Sequence, residues 1–112
     1  MPSFVAAESL NSVRVFWLQQ EKLIEEIRKL AQRIGAENSD VKDIVLFGSL
    51  AQKRGVPGSD ADLLIVLWKD DRPFPERIGA WLAKFDLGFP VEVFPYTVAE
   101  LDNPLAQEAL SS

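Results

Sequence analysis

The sequence contains no cysteine and no histidine. Without cysteine there is no disulfide framework, no zinc ribbon and no thiol nucleophile. Without histidine the commonest general base and the commonest metal ligand are both missing. Any chemistry therefore falls to carboxylates, hydroxyls, lysine, arginine and backbone groups. Long hydrophobic runs are missing too. The longest, Leu63 to Trp68, is six residues, where a membrane span needs roughly 20. The opening Met1-Pro2-Ser3-Phe4-Val5-Ala6-Ala7-Glu8 lacks a basic region followed by an apolar one, so it does not read as a signal peptide. These absences predict a soluble, cytoplasmic protein with no membrane association.

Positive charge is scarce. Lys and Arg number 12 against 17 Asp and Glu, a net charge of −5. Sequence-independent nucleic-acid binding rests on Lys and Arg neutralising phosphates, so no direct nucleic-acid binding is expected. The imbalance sits in residues 70–112, with three basic and eight acidic groups. An acidic segment of that kind suits a basic protein surface.

What remains is the composition of an ordinary globular protein, 47% hydrophobic and 26% charged. A chain of 112 residues is expected to form one domain, residues 1–112. Leu23, Ile24, Ile27, Leu30, Ala31 and Ile34 recur at helical spacing. They predict a helix over Leu18 to Ile34 with Gly35 at its C-cap, and Phe16 allows a start near Glu8 or Ser9. Val41 to Phe47 reads as a strand. Asp62 to Trp68 reads as a second one, buried on both faces because it is continuously apolar from Leu63. Asp70-Asp71-Arg72-Pro73 is a turn, and Pro75 to Phe85 a helix with Ile78, Trp81, Leu82 and Phe85 on one face. Val91 to Phe94 is a third strand. Thr97 and Glu100 have the spacing of a capping box, opening a short helix through Leu101. Pro104 to Leu110 forms a last turn or two of helix. This order predicts an α/β sandwich, a small mixed β-sheet with helices packed on it.

Between the first two strands lie Gly48-Ser49, ten residues, and Asp60-Ala61-Asp62. Glycine permits a tight turn and close backbone approach to a ligand. Free N–H groups at a helix start just beyond it would cradle an anion, with the Ser49 hydroxyl and Ser59 as further candidate nucleotide contacts. Asp60 and Asp62, two apart at the head of a strand, point to one face at a backbone spacing of roughly 6.6–6.8 Å. Paired carboxylates hold hard cations such as Mg²⁺. Either feature alone is commonly a plain turn or a solvated loop. Together they put a phosphate cradle beside a metal site, the combination that transfer from a nucleoside triphosphate requires.

The combination Gly48-Ser49, Asp60-Ala61-Asp62 and Leu63-Leu64-Ile65-Val66 resembles the signature of the nucleotidyltransferases of the DNA polymerase β superfamily. The short chain, ending Val91-Glu92-Val93-Phe94-Pro95-Tyr96-Thr97, is similar to the minimal nucleotidyltransferase group. The similarity runs from about Ile44 to Leu101. It implies a polymerase β-like nucleotidyltransferase fold, two Mg²⁺ ions, and ATP as substrate. It also implies a triphosphate contact at Ser49 and a metal-binding catalytic triad of Asp60, Asp62 and Glu92. Minimal nucleotidyltransferases pair with small helical HEPN-domain toxins, and act as antitoxins by adding AMP to a toxin tyrosine. The resemblance thus implies a HEPN-domain partner, in a hetero-oligomer or alongside self-association.

Two features depart from the pattern. Leu50 and Gln52 stand where many relatives have arginines, with Lys53 and Arg54 nearby as substitute phosphate charges. The third carboxylate is Glu92, where the wider superfamily often has Asp. A non-catalytic module that neutralises a partner by docking alone is the alternative reading, supported by the missing arginines. Arg77 and Tyr96 are weaker candidates for nucleotide contact. Trp17, Trp68 and Trp81 are expected in the core or at an interface. Phe4, Val5, Phe16 and Trp17 are candidate partner contacts.

Overall fold

In a computed structural model, the chain is described over residues 12–48 and 60–111, with backbone alone over residues 12–19. The elements are α1 (Ser12–Glu37), β1 (Val41–Phe47), β2 (Ala61–Leu67), α2 (Phe74–Leu82), β3 (Val91–Thr97), a 3₁₀ turn (Val98–Glu100) and α3 (Pro104–Ser111). The expected short helix after Gly48 falls outside the described residues, as do Phe4 and Val5. Among the described residues, no helix is long and apolar enough to cross a membrane.

β2 is the central strand, antiparallel to β1 and parallel to β3. The antiparallel pair is joined in sequence order, and the parallel pair needs a crossover, which α2 supplies. This is the mixed sheet that the sequence predicts. Side chains alternate along a strand, so the register sorts the sheet into two faces. Leu63, Ile65, Leu67 and Val93 pack with Leu23, Ile27 and Ile34 of α1 and with Trp81 of α2. On the other face Phe47, Leu64 and Val66 pack with Ala106 and Ala109 of α3. Every residue from Leu63 to Leu67 is at most 2% exposed, as expected for a strand covered on both sides.

Some boundaries move for local reasons. α1 runs past Gly35 because Asn38 closes it instead. Both the backbone N–H and the side-chain amide of Asn38 donate to the Ile34 carbonyl, at 3.0 and 2.8 Å. α2 stops at Leu82, and the next turn tightens, with Lys84 N–H donating to Trp81 and Phe85 N–H to Leu82. Phe85 still reaches the core at 3% exposure. β3 extends to Thr97 through Pro95, which a parallel edge strand tolerates. The Thr97–Glu100 capping box is present, with the Thr97 N–H donating to Glu100 Oε1 at 2.8 Å. It opens one 3₁₀ turn, where a short α-helix is expected.

Arg77 joins three of these segments. Its guanidinium donates to the carbonyls of Arg72 (2.8 Å), Asp70 (3.1 Å) and Pro95 (3.3 Å), and to Glu100 Oε1 (2.6 Å). The residue is 5% exposed. Only arginine's planar fork serves so many acceptors at once. Arg77 therefore holds the Asp70 turn, the end of β3 and the 3₁₀ turn together, and its guanidinium is committed to these contacts instead of a nucleotide. Tyr96 is likewise engaged, stacked on Phe74 at 4.7 Å between ring centroids. Trp81 is in the core at 4% exposure, whereas Trp68 is 58% exposed, since β2 ends one residue before it. The Trp68 ring lies 5.6 Å from the Lys42 ammonium.

Candidate active site

The cross-strand row that ends the α3 face is Phe47, Asp62 and Glu92, paired in register across all three strands. Cross-strand partners point to the same face, so the half-buried Asp62 and the exposed Glu92 are neighbours on the α3 side of the sheet. The negative charge of Glu92 therefore bears directly on Asp62. Burial pushes the Asp62 carboxyl up to about 6, with further contributions from the hydrogen bond to Glu92 and from the negative charges of Glu92, Asp60 and Glu108.

These carboxylates have no basic partner among the described residues, where the salt bridges join Arg28, Arg72 and Arg77 to Glu25, Asp70 and Glu100. The result is concentrated negative charge with oxygen donors only. That donor set fits a hard divalent cation, which would relieve the repulsion between them. Among the described residues no three acidic side chains already stand in a metal-holding arrangement. Asp62 and Glu92 are paired in register, and the charge of Asp60 adds to the field at Asp62.

Of the sequence-derived site residues, Gly48, Asp60, Asp62 and Glu92 are described and Ser49 and Ser59 are not. Gly48 follows the last rung of β1, has φ +79°, and lies directly against the Asp62 carboxylate. Leu50, Gln52, Lys53 and Arg54 also fall outside the described residues. Glu108 was missed by sequence reasoning. It sits on α3 between the inward Ala106 and Ala109, and the sole sequence signal was its place on a helix that packs over the site face.

A cleft of about 450 Å³ opens between α1 and β1, lined by Ile24, Ile27, Ala31, Ile44, Leu46 and Leu63 among others. Its strand residues belong to the opposite sheet face from Asp62 and Glu92, so the cleft is separate from the carboxylate pair.

Comparisons with known proteins bear on this geometry. The sequence model of the nucleotidyltransferase domain matches residues 22–106, which span β1, β2, β3 and both motifs. A crystal structure from Sulfolobus solfataricus, described as a presumptive nucleotidyltransferase, matches with a TM-score of 0.61. The match covers 74% of each chain at 17% sequence identity, a likeness of fold. A comparison with curated proteins finds no significant match. With the family match spanning most of its length, the chain belongs to the nucleotidyltransferase domain family.

Proposed function

We propose that the chain transfers a nucleoside monophosphate, AMP from ATP, to an acceptor hydroxyl and releases pyrophosphate. The observation that supports this most is the Asp62–Glu92 carboxylate pair, in register on one face of the sheet and without a basic partner among the described residues. Asp60, Asp62 and Glu92 would hold Mg²⁺. A bound divalent cation supplies charge neutralisation for the phosphates and orientation for the attacking and leaving oxygens. Glu92, the more exposed of the pair, accepts the proton of the acceptor hydroxyl. The acceptor oxygen then bonds to the α-phosphorus, and the bond from that phosphorus to the pyrophosphate oxygen breaks. Gly48 and Ser49 line the triphosphate.

The acceptor in this reading is a tyrosine of a HEPN-domain toxin, and the chain acts as its antitoxin. Support comes from the resemblance to minimal nucleotidyltransferases and from the acidic character of residues 70–112. Docking without catalysis is the second reading, favoured by Leu50 and Gln52 in place of arginines.

The test is incubation of the chain with ATP labelled at the α-phosphate, Mg²⁺ and the product of the adjacent reading frame. Label on a tyrosine of that product is expected. Tight binding with no label under any divalent cation would support docking alone.

A further inference from the structure

We infer that Gly48 is a positioning residue for Asp62: the missing Cβ at position 48 is what lets the Asp62 carboxylate stand beside Glu92. This rests on the reading of Asp62 as a metal-holding carboxylate and assigns Gly48 a task beyond lining a phosphate.

The argument is steric and local. A Cβ built on Gly48 would overlap Asp62 Oδ2 and come within 3.4 Å of Asp62 Cγ. The overlap falls on Oδ2, since 3.4 Å from Cγ is ordinary van der Waals contact, and relieving it requires the Asp62 carboxylate to turn about its short side chain. Glu92, the β3 register partner of Asp62, stands on the same sheet face. The carboxylate must therefore turn from its present orientation if position 48 carries a side chain. Gly35 and Gly79 offer a contrast, since a Cβ at either meets nothing within 4 Å. Gly48 also has φ +79°, which an L-residue adopts only with strain. Backbone strain and carboxylate overlap are separate effects, and they can be separated by experiment.

A double-mutant cycle in metal-free protein does so. Gly48→Ala, Asp62→Ala and the double variant are compared by denaturant unfolding. The φ strain is the same in both backgrounds, whereas the overlap exists only when Asp62 is present. The inference predicts that Gly48→Ala lowers the folding equilibrium constant at least about tenfold more with Asp62 present than without it. If Gly48→Ala alone fails to fold, restoration of folding by Asp62→Ala supports the inference, and no restoration overturns it. Equal effects in the two backgrounds also overturn it.

Mn²⁺ binding, followed by the magnetic resonance signal of the free ion, gives a readout that general destabilisation would not move. Folded Gly48→Ala protein is expected to bind Mn²⁺ at least about tenfold more weakly than the unaltered chain. Unchanged Mn²⁺ affinity in that variant would overturn the inference. An unaltered chain that binds no Mn²⁺ would overturn the metal reading of Asp62, while the folding cycle still decides whether Gly48 makes room for its carboxylate.

Discussion

Asp62 and Glu92 are register partners on adjacent parallel strands, so both carboxyl groups stand on the same face of the sheet. Two neighbouring acidic groups repel in a metal-free protein. Asp62→Asn or Glu92→Gln removes one like charge at nearly constant shape. Each is expected to leave folding stability at neutral pH unchanged or raised by up to about 1 kcal/mol, measured by denaturant unfolding. Nucleotide transfer should fall by about 100-fold or more, since metal-held charge neutralisation is worth several kcal/mol at about 1.4 kcal/mol per tenfold.

Arg77 anchors the opposite end of β3. Arg77→Ala strips the carbonyls of Asp70, Arg72 and Pro95 and the carboxylate of Glu100 of their shared donor. The expected loss is about 3 kcal/mol by chemical denaturation. Arg77→Lys should recover only a minor part, because an ammonium cannot reproduce the fork.

Acid sensitivity follows from the same cluster. The hydrogen bond from Arg77 and the Thr97 N–H hold the Glu100 carboxyl at about 2, and hydrogen bonding from Arg72 holds Asp70 at about 2. Both lie below their unfolded values, so the unfolded chain binds more protons than the folded one between the two values. Stability from these groups is therefore full above roughly pH 5 and declines as pH falls toward about 2. Glu100→Gln should flatten that decline. The difference should be only about 1 kcal/mol, since Glu100 is 41% exposed and screened by water.

The α3 cover depends on small residues. Ala106 and Ala109 are fully buried against Phe47, Leu64 and Val66. Ala106→Leu is expected to cost about 1–3 kcal/mol by overpacking, and Leu64→Ala about 3 kcal/mol through the cavity it leaves. Thermal unfolding of the two variants checks both.

Much of this architecture is written locally in the sequence. β1 occupies the stretch that its β-branched and apolar residues mark, and the doubly covered β2 is visible as an unbroken apolar run. The Thr97–Glu100 box is legible because both partners lie within one turn. Arg77 is different. Its acceptors on Asp70, Pro95 and Glu100 are brought to it by the turn, β3 and the 3₁₀ turn, and a single arginine on a helix carries no pattern that announces them. Trp68 looked like the last residue of a buried strand, but β2 ends before it and its ring sits against Lys42 at the surface. The Asp62–Glu92 pairing is intermediate. Alternation puts each carboxylate on one face of its own strand, but only the parallel register makes them neighbours. The closeness of Gly48 to Asp62 was not readable, because a glycine after a strand looks the same whether it serves a turn, a phosphate or a carboxylate.

The measurement that bears most directly on the central claim is Mg²⁺-dependent transfer of label from α-labelled ATP, run side by side on the unaltered chain and on Asp62→Asn with the protein partner present. The account predicts transfer that requires the divalent cation and is lost in a variant that unfolds at the same denaturant concentration as the parent. A folded Asp62→Asn protein that transfers nucleotide at the parent rate would contradict it.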